Sequence, residues 1–230
     1  MEIATSDGTA RVELSEPAGE LPVTGGPGAG QARYGRVPFL LVLTHGSGGG
    51  VEAPDLLAAS GAALSLGGVV ARVTQPYRVR GRRVPGPAAR QDAAWVEIIT
   101  AVREAVGTGP GAGHAAKGHA AIPLIQGGRS NGARVACRTA RTVGARAVVA
   151  LAFPLHPPGR PERSRAAELR DTGTDVLVVN GDRDPFGIPD SADATRVVVL
   201  AGESHALSKR PEAVGDAVGS WLREVLAVAR

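Results

Sequence analysis

Residues 121–137 read A-I-P-L-I-Q-G-G-R-S-N-G-A-R-V-A-C, and the fold class turns on them. A short apolar strand, Ile122 to Ile125, leads to Gly127 and Gly128. Ser130 follows, then Asn131 and Gly132, and then a helix-compatible run from Ala133 to Arg141. Gly128, Ser130 and Gly132 thus form G-x-S-x-G in the order strand, sharp turn, helix. Only a tight, strained turn lifts a serine hydroxyl clear of a sheet, and side chains beside it would clash across the turn, so glycines are needed there. The helix that follows aims its dipole at the hydroxyl. A bare G-x-S-x-G arises easily by chance in a chain with 32 glycines, so the surrounding pattern has to support it.

Working outward, residues 8–16 alternate apolar and polar as an edge strand does. Val37 to Thr44, Val69 to Val73, Ala147 to Phe153, Asp175 to Asn180 and Arg196 to Leu200 read as further strands. Most are continuous apolar runs, the mark of parallel strands buried on both faces. Helical stretches fall between them at 51–66, about 88–106 and 162–170, and a last one runs from Pro211 to Ala229. Trp95, Ile98, Ile99 and Val102 share one helical face, as do Val214, Val218, Trp221, Leu222 and Val225. This alternation predicts a mostly parallel sheet flanked by helices, in a single domain over residues 1–230.

Composition narrows the function classes. Net charge is +4, yet all but Lys117 and Lys209 of the 26 basic residues are Arg, which reads as coding bias and not as a nucleic-acid surface. Aromatics make up 3%, too few for base-stacking platforms. The one cysteine, Cys137, excludes an internal disulfide and fits a reducing compartment. Neither a signal peptide nor a run of about 20 apolar residues is evident, so a cytoplasmic protein without a membrane span is expected. No P-loop is present. His114 and His119 lack companions for a metal, and Gly46 to Val51 fails the dinucleotide pattern, so no cofactor is expected. A homodimer is compatible with the sequence.

Hydrolysis through serine needs a base to take the hydroxyl proton and a carboxylate to orient that base. Ser130, Asp184 and His205 each follow the C-terminal end of a strand, where ligands bind in open α/β sheets. Their chain order is that of α/β-hydrolases. Asp182 is a near rival for the acid. Asp184 is preferred because Pro185 fixes its turn, leaving Asp182 to cap it. The oxyanion requires two converging amides, which Asn131 and, from the glycine-rich loop after the first buried strand, Ser47 are placed to supply.

The segments L-T-H-G-S-G-G, Q-P-Y-R-V-R-G-R-R-V-P, G-G-R-S-N-G-A-R-V-A, F-P-L-H-P-P-G-R-P-E and V-N-G-D-R-D-P-F-G together resemble one branch of the α/β-hydrolases. That branch comprises the testis-expressed hydrolase-like proteins and the NSL-complex subunit, loosely related to dienelactone hydrolases. The resemblance covers about residues 37–210. It implies an α/β-hydrolase fold without a cap domain, nucleophile Ser130, acid Asp184 and base His205. Dienelactone hydrolases carry Cys at the elbow, so lactone specificity does not follow. The expectation is a serine hydrolase for an ester or thioester, with a hydrolase-fold scaffold of little turnover as the alternative. Two arginine-rich loops, Arg78/Arg80/Arg82/Arg83 and Arg160/Arg163/Arg165, are expected to face the rim and to attract an anionic substrate.

Overall fold

The computed structural model describes residues 1–18, 38–107 and 122–227. Its apolar runs form one eight-stranded sheet in the order β1-β2-β4-β3-β5-β6-β7-β8. The strands are β1 (Glu2–Thr5), β2 (Gly8–Ser15), β3 (Leu40–Thr44), β4 (Val69–Thr74), β5 (Leu124–Arg129), β6 (Ala147–Leu151), β7 (Asp175–Gly181) and β8 (Arg196–Leu200). From β4 to β8 every neighbouring pair is parallel, while β1 and β2 add an antiparallel edge. Strand β1 was not expected from sequence. Its four residues offer one buried apolar side chain, Ile3, too little for a period to register.

Helices cover both faces: α1 (Pro54–Ser65) and α6 (Pro211–Ala227) on one, α3 (Ala88–Ala105) and α4 (Asn131–Val143) on the other, with short α2 (Pro76–Val79) and α5 (Ala166–Arg170). The two-residue period of a strand shows in the cores. Leu41 and Leu43 pack towards Leu56, Val218 and Trp221, whereas Leu40 and Val42 pack towards Trp95, Ile98 and Val102. Each fully buried side chain of this size contributes roughly 1.5–3 kcal/mol over exposure, so both faces of the sheet are anchored. No helix among the described residues is long and apolar enough to cross a membrane.

Strand β5 departs from expectation in extent. It runs through Gln126, Gly127 and Gly128 to Arg129 instead of ending before the glycines. The glycines belong to the strand because its neighbours come too close for a side chain. A Cβ on Gly127 would lie 2.3 Å from the Val149 carbonyl oxygen, and one on Gly128 would lie 2.6 Å from that of Thr44. Helix α4 then starts directly after Ser130 and stops at Gly144, whose φ of 64° is the left-handed conformation of a helix terminus. Residues 162–170, expected as one helix, divide into a 3₁₀ turn (Pro161–Arg163) and α5. The expected glycine-rich connection with His114 and His119, and the last residues of the expected C-terminal helix, lie outside the described residues.

Candidate active site

Ser130 occupies a backbone conformation that L-residues avoid, with φ 53° and ψ −114°. Two contacts hold it there. Its amide donates to the Leu151 carbonyl at 2.9 Å, and Gly132 presses against β3 so closely that a Cβ would sit 2.7 Å from the Thr44 oxygen. The hydroxyl stands over the end of β5, half-buried.

His205 arrives from the loop after β8. Its Nε2 lies 2.9 Å from Ser130 Oγ and accepts that hydroxyl, while Nδ1–H donates to Asp184 Oδ2 at 2.8 Å. Asp184 follows β7 and is buried; its Oδ1 accepts from the Phe186 amide at 2.8 Å. The structure thus brings together Ser130, His205 and Asp184, residues separated by up to 75 positions in the chain. The rival carboxylate, Asp182, points elsewhere and caps the next turn, accepting from the exposed Gly202 amide at 2.7 Å.

Ser47 and Asn131 both line the cleft beside Ser130, whose volume is about 510 Å³. The Asn131 amide is the first of α4 and so has no acceptor within the helix. Its side chain donates to Gln91 on α3 at 2.7 Å, and Gln91 is itself fixed to the Gly86 carbonyl at 2.7 Å. On the other side, buried His45 sets the loop that carries Ser47. Its Nδ1–H donates to the Gly46 carbonyl at 2.8 Å and its Nε2 accepts from the Gln75 amide at 3.0 Å. Acceptance at Nε2 needs the neutral ring, and burial pushes its pKa down in the same direction, outweighing the Gly46 bond, which favours the charged form.

Sequence reading missed the side chains that support the site. Asn180, at the end of β7, accepts from the Phe153 amide at 2.9 Å and lies 3.2 Å from Asp184 Oδ2. Glu203 receives the Arg210 amide at 2.6 Å and its carbonyl receives the Arg183 amide, bracing the loop of His205. Arg129 donates to the His205 carbonyl at 2.8 Å and pairs with fully buried Asp55 at 3.1 Å. A polar residue inside or ending an apolar strand was the available signal for Asn180. The quoted His-Pro-Pro-Gly and Asp-Pro-Phe-Gly segments also meet: the His156 amide donates to the Phe186 carbonyl at 2.9 Å, and the Phe186 ring lies 4.3 Å from that of His205.

The rim arginines need correction. Arg78, Arg80, Arg82 and Arg83 do not line the cleft. The turn of α2 carries that loop towards β2, where Arg80 bonds the Asp7 carbonyl and lies 3.3 Å from its carboxylate. From the second loop only Arg165 reaches the cleft, joined by Arg129 and Arg134. Cys137 lies in the core of α4, and burial pushes its thiol pKa up to about 12. Among the described residues no cluster of His, Cys, Asp and Glu is suited to a metal.

A family model described as alpha/beta hydrolase domain matches residues 38–215. No curated protein matches the chain. Solved structures do resemble it. An alpha-beta serine hydrolase homologue from Coxiella burnetii superposes with a TM-score of 0.71 at 15% identity, covering 96% of each chain. A lidless a/b serine hydrolase from Xanthomonas campestris gives 0.64 at 17% identity, over 97% of this chain and 93% of that one. Dienelactone hydrolase from Anabaena variabilis gives 0.66 at 16% identity, over 97% and 95%.

Proposed function

The chain belongs to the alpha/beta hydrolase family, and from that premise we propose that it is a serine hydrolase cleaving a carboxylic ester or thioester. The observation that carries the reading is the continuous relay from Ser130 Oγ to His205 Nε2 at 2.9 Å and from His205 Nδ1 to Asp184 Oδ2 at 2.8 Å. Ser130 attacks the substrate's carbonyl carbon while His205 Nε2 takes the hydroxyl proton. Asp184 keeps the other ring nitrogen protonated and stabilises the imidazolium. The carbonyl oxygen, now negative, receives the amides of Asn131 and Ser47. Two such preorganised donors are worth several powers of ten in rate.

Collapse of the tetrahedral species breaks the C–O or C–S bond, and His205 returns its proton to the leaving alcohol or thiol. Water, deprotonated by His205, then releases the acid from the acyl-Ser130 ester and regenerates the hydroxyl. The kinship with the testis-expressed hydrolase-like and NSL-complex-subunit branch rests on the sequence segments and belongs to the same proposal. Labelling of the intact protein with a fluorophosphonate probe tests the reading. A single adduct mapped by mass spectrometry to Ser130, absent in His205→Ala, is expected. No adduct at any serine would sink the hydrolase reading in favour of a scaffold.

A further inference from the structure

The cleft beside Ser130 is lined by three arginines, Arg129, Arg134 and Arg165, and by no acidic residue among the described residues. Two of them are neutralised from behind. Arg129 pairs with buried Asp55, and Arg134 forks onto Glu168 with bonds of 2.8 and 2.6 Å. Glu168 is further shared with Arg138 at 3.6 Å. Among the described residues Arg165 forms no salt bridge, and Glu168, already forked by Arg134, favours its charge only from a distance. Among the described residues its guanidinium makes one hydrogen bond, Nη1 to the Pro154 carbonyl at 2.8 Å, which holds it without using its other donors.

Its backbone is fixed as well, since its amide donates to the Leu155 carbonyl at 2.7 Å just before α5 begins. Partial burial and then the nearby Arg134 charge make Arg165's cation less favourable than in water. A bound anion would offset the repulsion from Arg134. The sheet order sets where such an anion would lie. Strands β3 and β6 flank β5, so the Ser47 loop stands on one side of Ser130 and the Pro154–Arg165 segment on the other.

We propose that Arg165, backed by Arg134, is a subsite for a carboxylate carried by the substrate, so that the protein acts on esters or thioesters of monoanionic, dicarboxylate-type molecules. The proposal rests on the reading of Ser130 as nucleophile and names that site's substrate class. A guanidinium fork matches a carboxylate in two parallel hydrogen bonds, a geometry that lysine does not reproduce.

Mono-para-nitrophenyl glutarate and para-nitrophenyl valerate have the same chain length and differ by a terminal carboxylate in place of a methyl group. The ratio of their kcat/KM values should favour the glutarate in the wild type and fall at least about tenfold in Arg165→Gln, with Arg165→Lys intermediate. Arg82→Gln removes an equal charge outside the cleft and should leave the ratio within about twofold. A ratio unchanged in Arg165→Gln would overturn the assignment. Binding supplies a readout without turnover. Monomethyl glutarate should bind the Ser130→Ala protein about tenfold more tightly than the Ser130→Ala/Arg165→Gln protein by calorimetry. Equal binding would overturn the subsite, and inorganic phosphate binding as tightly as the carboxylate would overturn its assignment to carboxylates. Arg165-dependent binding without hydrolysis of either ester would keep the subsite and defeat the hydrolase reading. Turnover of both esters with an unaltered ratio would do the reverse.

Discussion

Ser130 and its two partners are held in place by opposite means. On the nucleophile's side the restraint is steric. Gly127, Gly128 and Gly132 lie so near backbone oxygens of Val149, Thr44 and His45 that a Cβ at any of them would stand 2.3 to 2.8 Å from one. The serine's φ of 53° is held by this crowding together with its amide's hydrogen bond to the Leu151 carbonyl. On the side of Asp184 and His205 the restraint is mostly polar. The Asn180 side chain, the Phe186 amide, Glu203 and the Arg129 guanidinium fix two loops, with Gly181 adding one close approach to Glu203. Crowding permits one conformation or none, whereas hydrogen bonds can be traded one at a time. The two sides should therefore fail differently when altered.

The largest contrast is expected on the polar side, between two carboxylates in one turn. Asp184→Asn should lower kcat on para-nitrophenyl acetate about 10⁴-fold with an unchanged circular dichroism spectrum, because the amide no longer orients the imidazole. Asp182→Asn should cost less than about threefold, since its carboxylate only accepts from an exposed amide. If Asp182→Asn is the crippling change, the acid has been misassigned. The steric side should break in stability instead. Gly132→Ala brings a methyl carbon within 2.8 Å of two carbonyl oxygens, so it should destabilise the fold by about 3 kcal/mol or more in urea unfolding. A folded Gly132→Ala protein of wild-type stability would show that the elbow is looser than its contacts imply.

This division also explains what could be read from the sequence. Steric demands leave compositional marks, because only glycine meets them, so Gly128, Ser130 and Gly132 announced the turn from residues alone. Apolar runs likewise announced the parallel strands, since burial on both faces removes the polar alternation. The polar supports leave no such mark. Asn180 and Glu203 sit in V-V-N-G and A-G-E-S with no spacing that names a partner, and the partner is chosen by tertiary contact. The arginine loops show the same limit. Seven arginines follow strand ends in the sequence, yet one of them lines the cleft, because α2 turns Arg80 towards Asp7. The extent of strand β5 is hidden in the sequence for a related reason. Its glycines look like a turn in sequence and are a strand where neighbouring chains crowd it.

One ion pair joins the two sides. Arg129 is the residue before Ser130 in the elbow, and its guanidinium reaches both the His205 carbonyl and Asp55 on α1. Asp55 is fully buried, and its oxygen faces Arg129 Nε without the alignment of a hydrogen bond, so the pair recovers only part of the cost of burying the charge. Burial accordingly outweighs the Arg129 attraction and pushes the Asp55 carboxyl pKa from 3.8 up to about 6. The folded protein then holds a proton that the unfolded chain has already released. Stabilisation from protonated Asp55 is fully present below about pH 4 and is lost as pH rises through about 6. Over that window the wild type should lose roughly 1–3 kcal/mol relative to Asp55→Asn, which cannot titrate, and above it the two curves should run parallel. Urea unfolding of both proteins across the window measures the difference. An opposite slope would mean that the Arg129 pairing outweighs burial, so that the link between elbow and histidine loop is a source of stability in its charged form.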